Sequence, residues 1–245
     1  LHKKIGILLA LLVFCMFASF IPTTEAAGQQ LIIINKKNNQ LAYYENGSLT
    51  KIFLVGTGRE ASMTPEGKFK VVNKIKNRPY YTGNIPGGSP KNPLGNRWLG
   101  INARGTWGTT YAIHGNNNPA SVGHYVSAGC VRMYNEQVQW LFDTVAVNTP
   151  IIITNSTKGF NAIAAANGYK ASGNVKISLP FMKKGDRNEA VRIVQKRLLQ
   201  LGFNPNGVDG TFGTGTERAV KHFQKSKKLS PNGMVGATTA KAMGL

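Results

Sequence analysis

The chain predicts a mainly-β domain over residues 29–155 and a small all-α domain over 181–245. Three observations carry that expectation. Turn residues interrupt short apolar runs twice between Gln30 and Leu54. Helical spacing in the first domain is confined to one stretch near its end. Past residue 181 the spacing of apolar residues becomes helical almost throughout.

The elements follow in order. Ile32 to Ile34 run into the polar tract Asn35 to Asn39, and Leu41 to Tyr44 resume the apolar pattern. Glu45-Asn46-Gly47 predicts a tight hairpin turn, because Asn and Gly tolerate left-handed backbone cheaply. Further strands are expected at 68–75, 110–114 and 150–154. The stretch PYYTGNIPGGSPKNPLGNRW (79–98) is too rich in Pro and Gly for a regular element, so it predicts a long loop, a common home of functional residues. Val138, Leu141, Phe142 and Val145 predict a helix over 135–146. Residues 156–180 are rich in Ala, Gly, Ser and Asn without sustained periodicity and are expected to be a linker.

In the second domain, Val191, Val194, Leu198 and Leu201 share one helical face. Asp186 with Glu189, and Thr214 with Glu217, are expected to cap two helices, and Gly202 to stop the first. DGTFGTGT (209–216) is echoed by NGMVGATT (232–239), with Gly, Gly and Thr at matching offsets. Each copy predicts a glycine-rich turn leading into a helix.

Residues 1–26 have the layout of a cleaved signal peptide: Lys3 and Lys4, an apolar run from Ile5 to Ile21, then Thr24-Glu25-Ala26. Export without a stable membrane anchor after cleavage is therefore expected. Cys15 lies inside the apolar run, so Cys130 is the only cysteine of the expected mature chain. It cannot form an internal disulfide. A lone thiol in an oxidising compartment is either buried and inert or kept for its reactivity.

The formal net charge is +20, and +19 without residues 1–26. The excess is spread along the whole chain, which suits a broad polyanionic surface. Nucleic acid is not expected, since no binding module and no basic face interleaved with aromatics is present. No His/Cys/Asp cluster has metal-ligand spacing, so neither a metal nor another cofactor is expected.

A cysteine nucleophile needs a base and donors for the developing oxyanion. His222 belongs to the helical domain, which leaves His114, at a strand end before Gly115, and His124, in the loop before the cysteine.

The segment IHGNNNPASVGHYVSAGCVRM (113–133) resembles the signature of the L,D-transpeptidase catalytic domain, a His-Gly followed by Ser/Thr-x-Gly-Cys-Val/Ile-Arg. MTPEGKFKV (63–71) and NPLGNRWLGI (92–101) are similar to two further motifs of that family, so the resemblance spans 29–155. It implies a β-sandwich of the L,D-transpeptidase type. It also implies Cys130 as nucleophile, His114 as general base, and the Gly115 carbonyl as the group that orients the imidazole. Gly129 and Cys130 would offer oxyanion-hole amides, Arg132 would help fix the site or bind a substrate carboxylate, and Ser127, grouped with Arg132 at the substrate-binding side, would be structural or support the donor loop. Ala128 stands where many relatives have His, and the role of His124 is left open.

Residues 181–245 resemble a three-helix peptidoglycan-binding domain. Val191-x-x-x-Gln195-x-x-Leu198, Leu201-Gly202-Phe203, Val208-Asp209-Gly210-x-Phe212-Gly213 and Ala219-Val220-x-x-Phe223-Gln224 carry that likeness. Together the two resemblances imply a secreted or wall-located enzyme acting on peptidoglycan stem peptides and glycan strands, with anionic wall polymers as further partners. They imply a Cys130 acyl-enzyme formed by release of the terminal D-residue of a tetrapeptide stem. An amine then completes a 3-3 cross-link; carbapenems are expected to acylate the same thiol. The alternatives are an L,D-carboxypeptidase using the same acyl-enzyme and a non-catalytic wall-binding protein.

Overall fold

The computed structural model describes residues 29–245. The signal peptide expected over 1–26 lies outside the described residues.

Three antiparallel strands open the described residues: β1 (Gln30–Asn35), β2 (Gln40–Glu45) and β3 (Ser48–Leu54). The turn between β2 and β3 has Asn46 at φ 52° and Gly47 at φ 76°. Two positive φ values in a two-residue loop match the twist of the flanking strands. After β4 (Thr57–Gly58) come β5 (Gly67–Lys76), β6 (Arg97–Ile101), β7 (Tyr111–His114), β8 (Tyr125–Ser127) and β9 (Val131–Arg132). Helix α1 (Asn135–Thr144) and β10 (Pro150–Thr154) follow.

β10 inserts between β1 and β5, parallel to one and antiparallel to the other. β5, β6 and β7 continue antiparallel, and β9 closes that edge parallel to β7. Residues from both ends of this sheet share one core: Ile32, Tyr43 and Phe53 on one side, Leu99, Ile113 and Val131 on the other, with Leu141 of α1. The expected sandwich is thus one long sheet curled over a common core. α1 sits in that core through Val138, Leu141 and Phe142, the residues whose spacing predicted it.

The stretch 156–180, expected to be a linker, is folded onto the sheet instead. It holds α2 (Phe160–Ala166) and β11 (Ile177–Ser178), which pairs parallel with β3. Phe160, Ile163 and Ala164 of α2 cover Leu31, Ile33 and Tyr44 on the outer face. Burying Phe160 and Ile163 contributes about 1.5–3 kcal/mol each. A helix of this length shows too few turns for its periodicity to stand out, and it forms only because the sheet receives it. It also explains why β1 is apolar on both faces.

The helical domain contains α3 (Glu189–Gln200), α4 (Thr214–Ser226) and α5 (Ala237–Met243). The caps differ from expectation. Asn188, not Asp186, caps α3, its side chain accepting from the Val191 N–H. Gly213 precedes α4 without a side-chain cap, and Thr214 already lies in the helix. Gly202 does end α3, at φ 84°.

The echoed turns are built alike. The Gln195 side chain accepts from the Gly210 N–H and donates to Asp209, the Thr211 carbonyl and Thr216. Gln224 accepts from the Gly233 N–H and donates to Asn232, the Met234 carbonyl and Thr239. Each buried glutamine thus satisfies one whole turn.

The helical core continues into Leu54, Val122 and Tyr134 of the sheet domain. Gln137 donates to the Ser178 carbonyl, and Glu136 accepts from the Phe181 N–H. The second domain therefore rests against the segment on either side of Cys130.

Candidate active site

A cavity of about 350 Å³ opens at the β7–β9 edge. Cys130, His114, Arg132 and Ser127 all line it, together with Arg78, Tyr81 and Leu94 from the long loop, which in the structure is the whole β5–β6 connection, and Trp98 from the start of β6. His124 is exposed and lies outside this lining.

Sheet pairing brings the site together. In the parallel register of β7 on β9, Ile113 faces Val131 and His114 faces Arg132. That places His114, the end of one strand, beside the second residue after the nucleophile. The Met133 N–H bonds to the His114 carbonyl at 2.9 Å, and Arg132 exchanges backbone bonds with Gly56 at 2.8 Å each way.

His114 is buried, with Nδ1 2.6 Å from the Gly115 carbonyl oxygen. A carbonyl only accepts, so Nδ1 carries the proton and Nε2 keeps a lone pair. Trp98 stacks on the imidazole at 5.6 Å and 17°. Burial pulls the His114 pKa down to about 4, with the Gly115 and Leu94 carbonyls opposing it and the positive Arg132 and Arg78 reinforcing it. At neutral pH the ring is an uncharged base. Gly115 has a steric reason to be glycine: a Cβ there would come within 2.1 Å of Asn135 Oδ1.

The Cys130 thiol donates to the Thr110 carbonyl at 3.2 Å. Burial pushes its pKa up, against the lowering effects of a backbone bond, Arg78 and Arg132. Thiol raised and imidazole lowered both favour a neutral resting pair over a preformed thiolate.

The turn before the nucleophile is tightly held. Gly129 has φ 132°, and a Cβ on it would meet the Met63 carbonyl oxygen at 2.6 Å. Its carbonyl accepts from Thr64 Oγ1 at 3.0 Å, and Thr64 in turn accepts from the Gly58 N–H at 2.8 Å. Lys36 braces the loop that bears Thr64, donating to the Ala61 and Thr64 carbonyls and pairing with Glu66 at 2.9 Å. Ser127, grouped with the substrate-binding residues but expected to be structural or to support the donor loop, has its hydroxyl engaged within the turn: it donates to the Cys130 carbonyl and accepts from the Gly129 N–H at 3.0 Å. Of the two amides expected to receive an oxyanion, Gly129 N–H is therefore occupied. The Cys130 N–H has no acceptor among the described residues.

Arg132 lines the cavity and forms no ion pair among the described residues. Its Nε is buried without a partner. Arg78, which no sequence pattern singled out, lies over Trp98 at 3.9 Å and donates to the Thr109 carbonyl at 3.0 Å. Asn92 explains the Asn-Pro-Leu-Gly motif: its side chain donates to the Arg78 and Pro86 carbonyls and accepts from the Leu94 N–H. Thr64 and Trp98 could have been found from the 63–71 and 92–101 motifs that hold them; Arg78 left no comparable signal.

Comparison with known proteins places the chain in a family. Residues 29–153 match the family described as the L,D-transpeptidase catalytic domain. Residues 187–243 match a peptidoglycan binding domain family. YqjB of Bacillus subtilis, named as an L,D-transpeptidase, is 43% identical over 154 residues, covering 62% of this chain and 88% of its own length. YkuD of Bacillus licheniformis, named likewise, is 35% identical over 123 residues, covering 50% and 64%. A solved L,D-transpeptidase from Mycobacterium tuberculosis superposes with a TM-score of 0.42 at 16% identity, covering 51% of this chain and 57% of that one.

Proposed function

The chain belongs to the L,D-transpeptidase family, and we propose that it is an exported, wall-located cysteine acyltransferase that joins peptidoglycan stem peptides through a Cys130 acyl-enzyme. The observation that carries this reading is one cavity holding a thiol, a neutral histidine with Nε2 free of its proton, and an arginine without an acidic partner.

The donor is a tetrapeptide stem. Arg132 binds its terminal carboxylate with paired N–H donors, which fixes the neighbouring amide over Cys130. The thiol turns from the Thr110 carbonyl toward His114 Nε2 and loses its proton as Sγ attacks the third residue's carbonyl carbon. A neutral pair makes proton transfer and attack parts of one event. The oxyanion bonds to the Cys130 N–H; the Gly129 N–H joins only if it exchanges Ser127 Oγ for the oxyanion. The imidazolium then protonates the leaving amine, the C–N bond breaks, and a thioester remains. An amine of a second stem gives its proton to Nε2, attacks the thioester and releases the thiol, leaving a 3-3 cross-link. Water in place of the amine makes the same site a carboxypeptidase.

The catalytic unit is assigned to 29–155 and the wall-binding unit to 181–245, with 156–180 packed on the sheet between them. The spread positive charge favours contact with anionic wall polymers. A wall-binding unit raises the local concentration of stems.

The test is mass spectrometry of products from a tetrapeptide muropeptide, with and without an added amine acceptor, beside Cys130→Ala. Release of the terminal D-residue with a cross-linked product, absent in the variant, is expected. Release without cross-linking would make the enzyme a carboxypeptidase. Turnover retained by Cys130→Ala would remove the acyl-enzyme from the account.

A further inference from the structure

Two guanidinium groups, Arg78 and Arg132, face one cavity whose lining contains no aspartate or glutamate. Neither pairs with a carboxylate among the described residues. Both are partly buried. Two like charges that have lost water and gained no counter-charge are held at an electrostatic cost. A ligand bearing negative charge relieves that cost, and a guanidinium recognises a carboxylate with two parallel bonds.

One of the two is already accounted for. Cys130 immediately precedes β9 and Arg132 ends it, two residues apart, and both reach the cavity. Residues two apart on extended backbone face the same side, about 7 Å from each other. That span suits a single residue beyond the attacked carbonyl, which is the terminal residue that leaves. Arg132 therefore meets the terminal carboxylate, and Arg78 is left over.

Arg78 is held ready. Its guanidinium lies over the Trp98 ring at 3.9 Å, and one N–H donates to the Thr109 carbonyl at 3.0 Å. Trp98 is itself pinned by its indole N–H on the Gly108 carbonyl at 2.8 Å. An arginine has five N–H donors in one plane, so stacking and one backbone bond leave in-plane donors for a ligand. Arg78 comes from the long loop and Arg132 from the sheet, so the two cations suit two anionic groups on one substrate.

We infer that Arg78 binds a second substrate carboxylate, carried by the side chain of the residue whose carbonyl Cys130 attacks. This rests on the stem-peptide reading proposed above and adds a specificity to it. The enzyme prefers stems whose third side chain ends in a free carboxylate over stems in which that group is amidated or missing.

The test uses three tetrapeptide donors identical except at the third residue: diaminopimelate, diaminopimelate amidated on its side-chain carboxyl, and lysine. The readout is kcat/KM for release of the terminal D-residue by wild type, Arg78→Gln and Arg78→Lys, with one shared acceptor. Wild type is expected to prefer the free carboxylate by about tenfold or more, the range of a hydrogen bond to a charged group. Arg78→Gln is expected to bring the three donors to within about twofold, with Arg78→Lys between, because a point charge lacks the paired donors. Each protein serves as its own control, so a smaller folded fraction does not alter the ratio. Equal treatment of the three donors by wild type overturns the inference. So does an Arg78→Gln variant slowed alike on all three, which would place the effect in the Trp98–His114 stack. Absence of turnover by wild type on every donor would instead strike the stem-peptide function itself, and this inference with it.

Discussion

Acidification should destabilise this protein through one buried imidazole. His114 is buried and its pKa lies near 4, against about 6.5 for a histidine in water. The sign follows from proton counting. Above about pH 6.5 the ring is neutral in both the folded and unfolded chain, and His114 adds no pH dependence. Between about 6.5 and 4 the unfolded chain binds the proton first, so stability falls as pH falls. Below about 4 both forms are charged and the loss levels off. A separation of roughly 2.5 pKa units at about 1.4 kcal/mol per unit costs about 3 kcal/mol. The assay is urea denaturation of wild type and His114→Gln at steps from pH 7 to pH 4. All other groups titrate in both proteins, so the difference between the two curves isolates His114. Wild type should lose about 3 kcal/mol more than the variant over that range. A proton NMR titration of the ring should show it unprotonated down to about pH 5. Parallel stability curves, or a ring titrating near 6.5, would refute the neutral buried base and with it the uncharged resting pair.

Other outcomes follow from the same contacts. Gly129→Ala places a Cβ 2.6 Å from the Met63 carbonyl oxygen at φ 132°; a loss of about 3 kcal/mol or more in urea melts and loss of turnover are expected. Thr64→Val leaves the Gly58 N–H and Gly129 carbonyl without that hydroxyl. It should cost about 1–3 kcal/mol, and steady-state kinetics should show kcat falling more than KM rises, because the turn before the nucleophile loosens while the binding arginines stay. Gln195→Leu and Gln224→Leu each strand the polar groups of one echoed turn. Thermal melts should show similar losses for the two, about 2–3 kcal/mol, and unequal losses would deny that the turns are equivalent.

Much of the fold was legible along the chain. Local rules act over a few residues, so the Asn46-Gly47 hairpin, the strands near 68–75, 110–114 and 150–154, and the helix after Cys130 could be placed from spacing and turn chemistry. The short helix at Phe160 was not legible, because its stability comes from the outer face of β1 rather than from its own turns. The caps at Asn188 and Gly213 were misplaced for a related reason: several polar residues in a row can cap, and the packing of the helix selects among them.

By itself the sequence determined the chemistry available: one thiol beyond the N-terminal apolar run, a histidine at a strand end, an arginine two positions past the thiol, and two domains with separate periodicities. Only the tertiary structure decided how those groups behave. Burial makes the imidazole a neutral base and raises the thiol, an effect of lost water that no local pattern records. The parallel pairing of β7 with β9 brings His114 to the residue after next from Cys130, across sixteen positions of chain. Long-range packing also carries Arg78 and Trp98 to the cavity and joins Lys36 through Thr64 to Gly129. Contacts between distant segments form only once the sheet curls over its core, so their consequences for charge and proton affinity belong to the folded chain alone.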